Sequence, residues 1–372
     1  MQRLSYLTIA LEENNADALF VFHPKHVYYL TGFFTNARPF WQISQTCVIL
    51  LPNHQIFLLL PKPWKENYHL NKDDPDISQN VTVIEYANGI SGLISTVKSL
   101  LPHSSSLKVL ADLQWMRVPV LKAFEHQMPN LNFVDEYPIL SKARMVKNQY
   151  EIQQLKKAIS ISDSGLSAAK KLISVGKTEW EVTLAIDSLM ISNGSYGNGF
   201  NTKVISGANG SYAHHVSGNT SIMEGSSTIV DLSASIGPYT SDSARTFLLR
   251  EPDNEIKEVH AGICELLNSL PKILIPGTPL KDLNQYIRNF LSHLSPTAVQ
   301  AGNIGHGIGL HAHEYPDINN SCKETLLPNM TLAIEPALYL PGKWGVRIEN
   351  VYHIHSSHGE KLNNLETNYG SL

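Results

Sequence analysis

The chain has 372 residues, a net charge of −4, and hydrophobic and charged fractions of 42% and 17%. That balance suits a globular protein with room for two domains and excludes disordered and fibrous classes. No basic block points to nucleic acid or an anionic membrane, and no apolar run is long enough to cross a bilayer. Cys47, Cys264 and Cys322 form neither a CxxC pair nor a disulfide framework. Glu12, Glu13 and Asp17 interrupt the N-terminal segment where a secretory signal needs an apolar core. A cytoplasmic protein is expected.

In chain order, ALFVF (18–22), TCVILLP (46–52) and QIFLLLP (55–61) read as buried strands, the last two joined as a hairpin at Asn53-His54. VTVIEY (81–86) and LKVLADL (107–113) continue the pattern, with amphipathic stretches near 90–101 and 117–127 between them. This predicts an α/β N-terminal domain over 1–138. Beyond it, Ile152, Leu155, Ile159 and Leu166 form one helical stripe, and Thr178 with Glu181 forms a capping box that opens a second helix. Two more helices are predicted at 254–270 and 280–294. They alternate with strand-like segments: TKVISG, STIVDLSAS, ARTFLL, MTLAIEPALYL and GVRIENVYHI. Residues 139–372 are therefore expected to form an α+β C-terminal domain.

Asp231, Glu335 and Glu349 lie in apolar surroundings within those strand-like segments, and Asp242 follows Asp231 eleven residues on, in YTSDSARTF. A carboxylate buried without a partner is costly. Ion pairs with Arg245 or Arg347 are the bland explanation, but two arginines do not offset four carboxylates, whereas two dications do. Nearby, GHGIGLHAHEYP (305–316) supplies His306, His311 and His313. Four carboxylates with one imidazole suit Mn²⁺, Co²⁺, Fe²⁺ or Zn²⁺, and two such ions about 3.5–4 Å apart support hydrolysis. A mononuclear zinc site built from the three histidines, with His311 and His313 on one strand face, is the competing reading and leaves the acids unexplained.

The order Asp, Asp, His, Glu, Glu in the contexts VDLSASIGPYTSDSARTF, GHGIGLHAHEYP, AIEPALY and RIEN resembles the pita-bread metallopeptidases. These include methionine aminopeptidases, Xaa-Pro aminopeptidases and prolidases. DALFVF and VYYLTGF (17–33) are similar to the creatinase/prolidase N-terminal domain, which favours the proline-specific branch. The resemblance implies a pita-bread catalytic domain holding two divalent metal ions, Mn²⁺ foremost, with a peptide substrate and a homodimeric assembly. It implies that Asp231 chelates one metal, that Asp242 and Glu349 bridge both, and that His306 and Glu335 bind the second. It further implies that Glu335 is the general base, that His313 stabilises the oxyanion, and that His214 (within SGANGSYAHH) faces the substrate. His311 matches no functional position.

Three positions depart from the family pattern: Ser233 replaces a Gly, Asn350 replaces an Asp, and Asp317 stands where dipeptide-cleaving prolidases often carry an Arg for the substrate carboxylate. The last favours peptides longer than two residues, so an Xaa-Pro aminopeptidase is expected ahead of an Xaa-Pro dipeptidase. A metal-free creatinase-like amidino hydrolase and a non-catalytic pita-bread binding module are disfavoured by the complete set of five ligands.

Overall fold

The computed structural model describes residues 3–34, 46–62, 73–77 and 81–370. The chain divides into two compact units, Met1–Ala143 and Arg144–Leu372.

The first unit is built on a six-stranded mixed sheet. Strand β1 (Ala18–Val21) pairs antiparallel with β2 (Cys47–Leu50), which pairs antiparallel with β3 (Ile56–Pro61); β4 (Val81–Tyr86) adds to β3 in parallel. On the other flank of β1, β5 (Leu107–Ala111) and β6 (Leu131–Asp135) add in parallel. The hairpin forms where Asn53-His54 predicts it, with Leu50 opposite Ile56 and His54 at φ 67°. Around the sheet lie α1 (Arg3–Glu13), α2 (Pro24–Thr31), α3 (Gly89–Leu100), α4 (Val118–Gln127) and α5 (Ile139–Ala143). Phe20, Val109, Leu93, Val97 and Phe124 share one buried cluster, which is what holds α3 and α4 against the strands. The unit is α/β, as the alternating pattern predicts.

The second unit opens with two capped helices. In α6 (Gln149–Leu172), Asn148 and Glu151 form a reciprocal capping box, and Ile152, Leu155, Ile159 and Leu166 are buried. Helix α7 (Glu179–Ser192) begins at the Thr178–Glu181 capping box and buries Val182, Ile186 and Met190. Strands β7 (Lys203–Ser206) and β8 (Ser227–Leu232) form a three-stranded sheet that is completed, after the short pair β9 (Ser235–Ile236) and β10 (Tyr239–Thr240), by β11 (Ser243–Leu248). Helices α8 (Asn254–Ser269) and α9 (Leu280–Leu294) follow. Strand β12 (Val299–Gln300) belongs to a second three-stranded sheet. A five-stranded sheet starts with β13 (Gly305–Gly307) and β14 (Glu314–Asp317).

The two remaining long segments are each interrupted. MTLAIEPALYL is split into β15 (Thr331–Ile334) and β16 (Ala337–Leu340), and GVRIENVYHI into β17 (Trp344–Arg347) and β18 (Asn350–Ile354), before β19 (Gly359–Lys361) closes the five-stranded sheet. Each segment crosses from one sheet to another at its break, since β16 and β17 belong with β12 while β15 and β18 belong with β13. Pro336 supplies a reason for the first break, because it has no N–H to continue a ladder. Glu335 and Glu349 lie in these breaks and outside any strand, contrary to the strand-core placement that their sequence surroundings predict. Their backbone N–H groups donate to Ile304 O at 2.9 Å and Ala244 O at 3.0 Å.

Candidate metal centre and active site

Strands β8, β11, β13 and β15 and the break between β17 and β18 bring the acids together. Asp231 is on β8 beside Ala244 of β11, and Asp242 lies immediately before β11. His306 is the middle residue of β13, paired with Ala333 of β15, so β15 ends at Ile334 and leaves Glu335 just beyond it, with Oε1 3.5 Å from His306 Nε2. Glycines flank His306 because the backbone is too close for side chains: a Cβ on Gly305 would collide with the Ala333 carbonyl, and one on Gly307 with the Tyr315 carbonyl.

Donor atoms of Asp231, Asp242 and Glu349 all lie within 4.8 Å of one another, and so do those of Asp242, His306 and His313. Asp242 belongs to both groups. His306 Nε2 is 3.7 Å from Asp242 Oδ2 and 3.5 Å from Glu335 Oε1, while His313 Nε2 is 3.6 Å from Asp242 Oδ2. The two imidazole rings stack with centroids 3.7 Å apart. They differ in burial: the His306 side chain is 1% exposed and that of His313 is 64% exposed.

Ion pairing accounts for only part of this charge. Arg347 Nη1 lies 2.5 Å from Asp231 Oδ2, its Nε is 3.9 Å from Glu335 Oε2, and its Nε and Nη2 donate to Tyr339 Oη. Arg245, the other expected partner, spends its donors on the carbonyls of Ala244, Glu349, Leu365 and Glu366 and on Asn350 Oδ1. It pairs with none of the four acids. Asp231 Oδ1, His306 Nε2 and Glu349 Oε1 are buried without hydrogen-bond partners. Burial, then the neighbouring Asp231 and Glu335 charges, pushes the Asp242 carboxyl upward against the pull of His306. Burial and the charge of Asp242 likewise hold Glu349 well above the usual carboxylate range. Unpaired inward-facing oxygens, one unpaired imidazole nitrogen and mutually repelling acids are the donor set that dications neutralise, and the residues fit a metal pair.

The centre opens on a cavity of about 400 Å³ lined by Asp231, Asp242, Glu335, His313, Arg347 and Lys203. His214 also lines it, and its neighbour His215 is not among the lining residues. Lys203, which the sequence reading passed over, sits opposite Asp231 in the β7–β8 register and brings Nζ to 3.6 Å from Asp231 Oδ2. Its only sequence signal is a charge in a strand of apolar neighbours. Partial burial, then the charge of His306, draws His313 down to about 4, so its ring is neutral. Burial tends to raise Glu335, but the close approach and charge of His306 and the charge of Arg347 hold it below the usual range. Asp317, by contrast, is exposed, accepts a bond from Asn303 Nδ2 at 3.2 Å, and does not line the cavity.

The three-histidine zinc alternative is not supported. His311 and His313 lie in bends ahead of β14. His311 Nδ1 is 3.0 Å from Arg144 Nη2, within a buried cluster in which Arg144 and Lys147 neutralise Glu314.

Residues 153–356 match the Metallopeptidase family M24, and residues 3–146 match the Creatinase/Prolidase N-terminal domain. The chain belongs to the M24 family and is a metallo-exopeptidase with a creatinase-type N-terminal domain and a pita-bread catalytic domain. It is 28% identical over 351 residues to an uncharacterized peptidase of Staphylococcus aureus (strain USA300), covering 94% of this chain and 95% of the relative. It is 25% identical over 365 residues to the Xaa-Pro dipeptidase of Pyrococcus furiosus, covering 98% of each. The solved structure of the Xaa-Pro dipeptidase from Bacillus anthracis superposes with a TM-score of 0.87 at 22% identity, covering 100% of this chain and 99% of the other.

Proposed function

We propose that the chain hydrolyses the bond between an N-terminal residue and a following proline. Asp231, Asp242, His306, Glu335 and Glu349 would hold two divalent cations, with Asp242 and Glu349 shared between them. The observation that carries this reading is the set of unpaired, buried donors gathered around Asp242. The oxygen-rich set supports Mn²⁺, with Co²⁺, Zn²⁺ and Fe²⁺ as substitutes. When bound, such ions polarise the scissile carbonyl and make water nucleophilic near neutral pH.

The chain's own groups do the rest. Glu335, facing the cavity, takes a proton at its carboxylate and passes it to the departing proline nitrogen. The neutral ring of His313 donates an N–H to the developing oxyanion, and His214 contacts the substrate from the cavity wall. A bond to proline lacks the N–H that most peptidases use to position the substrate, so a dedicated site of this kind is needed.

Dipeptides are the proposed substrates, because Lys203 puts an ammonium in the cavity for the free carboxylate of a short substrate. Longer Xaa-Pro peptides are the second reading, favoured by Asp317, whose carboxylate is opposite His306 in the β13–β14 register. Among the described residues no helix is long and apolar enough to cross a membrane. The free thiols of Cys47, Cys264 and Cys322 support work in the cytoplasm. A homodimer belongs to the same proposal and is read from the native mass. The test is turnover of Ala-Pro and Ala-Pro-Ala by metal-stripped protein before and after adding Mn²⁺. Metal-restored cleavage of the dipeptide is expected. Cleavage of the tripeptide alone would favour the second reading, and cleavage of neither would overturn the proline assignment.

A further inference from the structure

The β18–β19 hairpin carries HIHSSHGE, residues 353–360, which share nothing with the catalytic site. Glu360 is directly opposite His353 in the hairpin register. His353 Nδ1 lies 3.7 Å from Glu360 Oε2, and His355 Nε2 lies 3.0 Å from the same oxygen. One donor atom from each of the three residues lies within 4.8 Å of the other two.

The hydrogen bonding of His353 gives this cluster its direction. The residue is 3% exposed, and its Nε2 is 3.1 Å from Asn329 Oδ1. An amide oxygen only accepts, so Nε2 carries the hydrogen and Nδ1 presents its lone pair. Nδ1 is buried and has no hydrogen-bond partner. A lone pair buried against a carboxylate oxygen is repulsive until a cation lies between them. Fixing a ligating histidine through its far nitrogen is also how metal sites orient an imidazole.

We propose that His353 Nδ1, His355 Nε2 and Glu360 form a separate site for one borderline dication, of the Zn²⁺ class, that clips the β18–β19 hairpin. Two imidazole nitrogens and one carboxylate suit Zn²⁺ better than Mn²⁺ or Mg²⁺, which prefer oxygen, so the site differs in preference from the acid-rich catalytic pair. Lys156 Nζ, 3.3 Å from both Glu360 oxygens, competes for the carboxylate, but both side chains are substantially exposed and the pair is cheap to separate. The ring of His358 stacks on His355 at 5.0 Å and is near enough to shield the ion or to add a fourth ligand. Strand β18 begins one residue after Glu349, so the clip would fix the far end of a strand that adjoins the catalytic acids.

The experiment is a Zn²⁺ titration of the metal-stripped full chain, comparing wild type with His355→Ala and Glu360→Gln. These side chains are 38% and 39% exposed, so the fold does not depend on them, and buried His353 is left intact. Each variant should bind one Zn²⁺ fewer per chain than wild type while keeping wild-type turnover with Mn²⁺. An Asp242→Ala chain should keep the ion that these two lose. Equal Zn²⁺ stoichiometry in wild type and both variants would overturn the proposal. So would a lost ion that also disappears in Asp242→Ala.

Discussion

Glu314 and Asp242 are acids of the same domain, enclosed to a similar degree, yet they are neutralised in opposite ways. Glu314 has its cations built in: Arg144 pairs with Oε1, Lys147 Nζ lies 3.5 Å from Oε2, and the His311 backbone N–H donates to Oε1 at 2.8 Å. Burial works to raise it, but these cations prevail and draw it down to about 2. Asp242 has other acids for neighbours, and its carboxyl is driven up. A buried acid with its own arginine and lysine is scaffolding: it anchors the bend that carries His311 and His313. Acids with too few cations, facing a cavity, are a place for ions from outside.

The largest test of this contrast is at Asp242. Asp242→Ala should abolish turnover, by about 10³-fold or more in kcat, and lose bound metal at the same time, because the residue belongs to both donor groups. Elemental analysis beside the activity assay reads both. Two tightly held metals in the variant would mean that Asp242 is not shared between them.

Glu314→Gln tests the other side. It leaves Arg144 and Lys147 buried without their counter-charge, and breaking a buried pair from one side costs about 3–5 kcal/mol. Urea unfolding with an unchanged m-value should show this loss; a cost below about 1 kcal/mol would remove the scaffolding role. Acid adds a second reading. The folded value of about 2 lies below the ordinary 4.5, so the stability this group supplies is complete above 4.5 and disappears as pH falls toward 2. By linkage the shift is worth about 3 kcal/mol. The stability gap between wild type and Glu314→Gln should therefore narrow as the pH is lowered from about 5 to about 3. A gap independent of pH would assign the loss to packing.

His313 sharpens the boundary between ion-holding and substrate-facing groups. Its Nε2 is as near Asp242 as that of His306, but its ring is largely exposed, whereas that of His306 is buried and also approaches Glu335. His313→Ala should keep both metals and lower kcat by about 10²–10³-fold. A lost metal would move His313 into the ligand set.

Much of the fold was legible in the sequence. The α6 and α7 capping boxes and the Asn53-His54 hairpin are set by residues within four positions of each other, so local reading suffices. Asp231, Glu335 and Glu349 were legible too, because a carboxylate beside Ile, Val or Leu stands out at any distance from its partners, whereas Asp242, set among Ser and Thr, stood out only through the family pattern. The neutralising groups were not. Arg347 and Asp231 are 116 positions apart, and Arg144 and Glu314 are 170 apart, so only the folded chain shows which acid has a cation. The strand breaks divide in the same way. Pro336 marks the one at Glu335, but nothing near Glu349 signals that its segment changes sheets there.

The smallest test lies at Asn350, where the family pattern has an acid. Asn350 Oδ1 accepts from Arg245 Nη2 at 2.8 Å, and Arg245 Nη1 donates to the Glu349 carbonyl at 2.7 Å. All of Arg245's hydrogen bonds end on uncharged acceptors, although burial already disfavours its charge. Asn350→Asp would give this cation a carboxylate and make the region more like the Glu314 cluster. It would also remove the amide donors directed at Tyr352 Oη and Thr367 Oγ1, at 3.4 and 3.2 Å. The gain and the loss nearly cancel for stability, leaving a change within about 1 kcal/mol. The metal should respond more clearly, because Arg245 holds the backbone of Glu349. Tighter anchoring should raise Mn²⁺ affinity by up to about tenfold, read from activity as the free ion is titrated. Weaker binding would mean that the Asn350 amide, through Tyr352 and Thr367, orients this strand more than the Arg245 charge does.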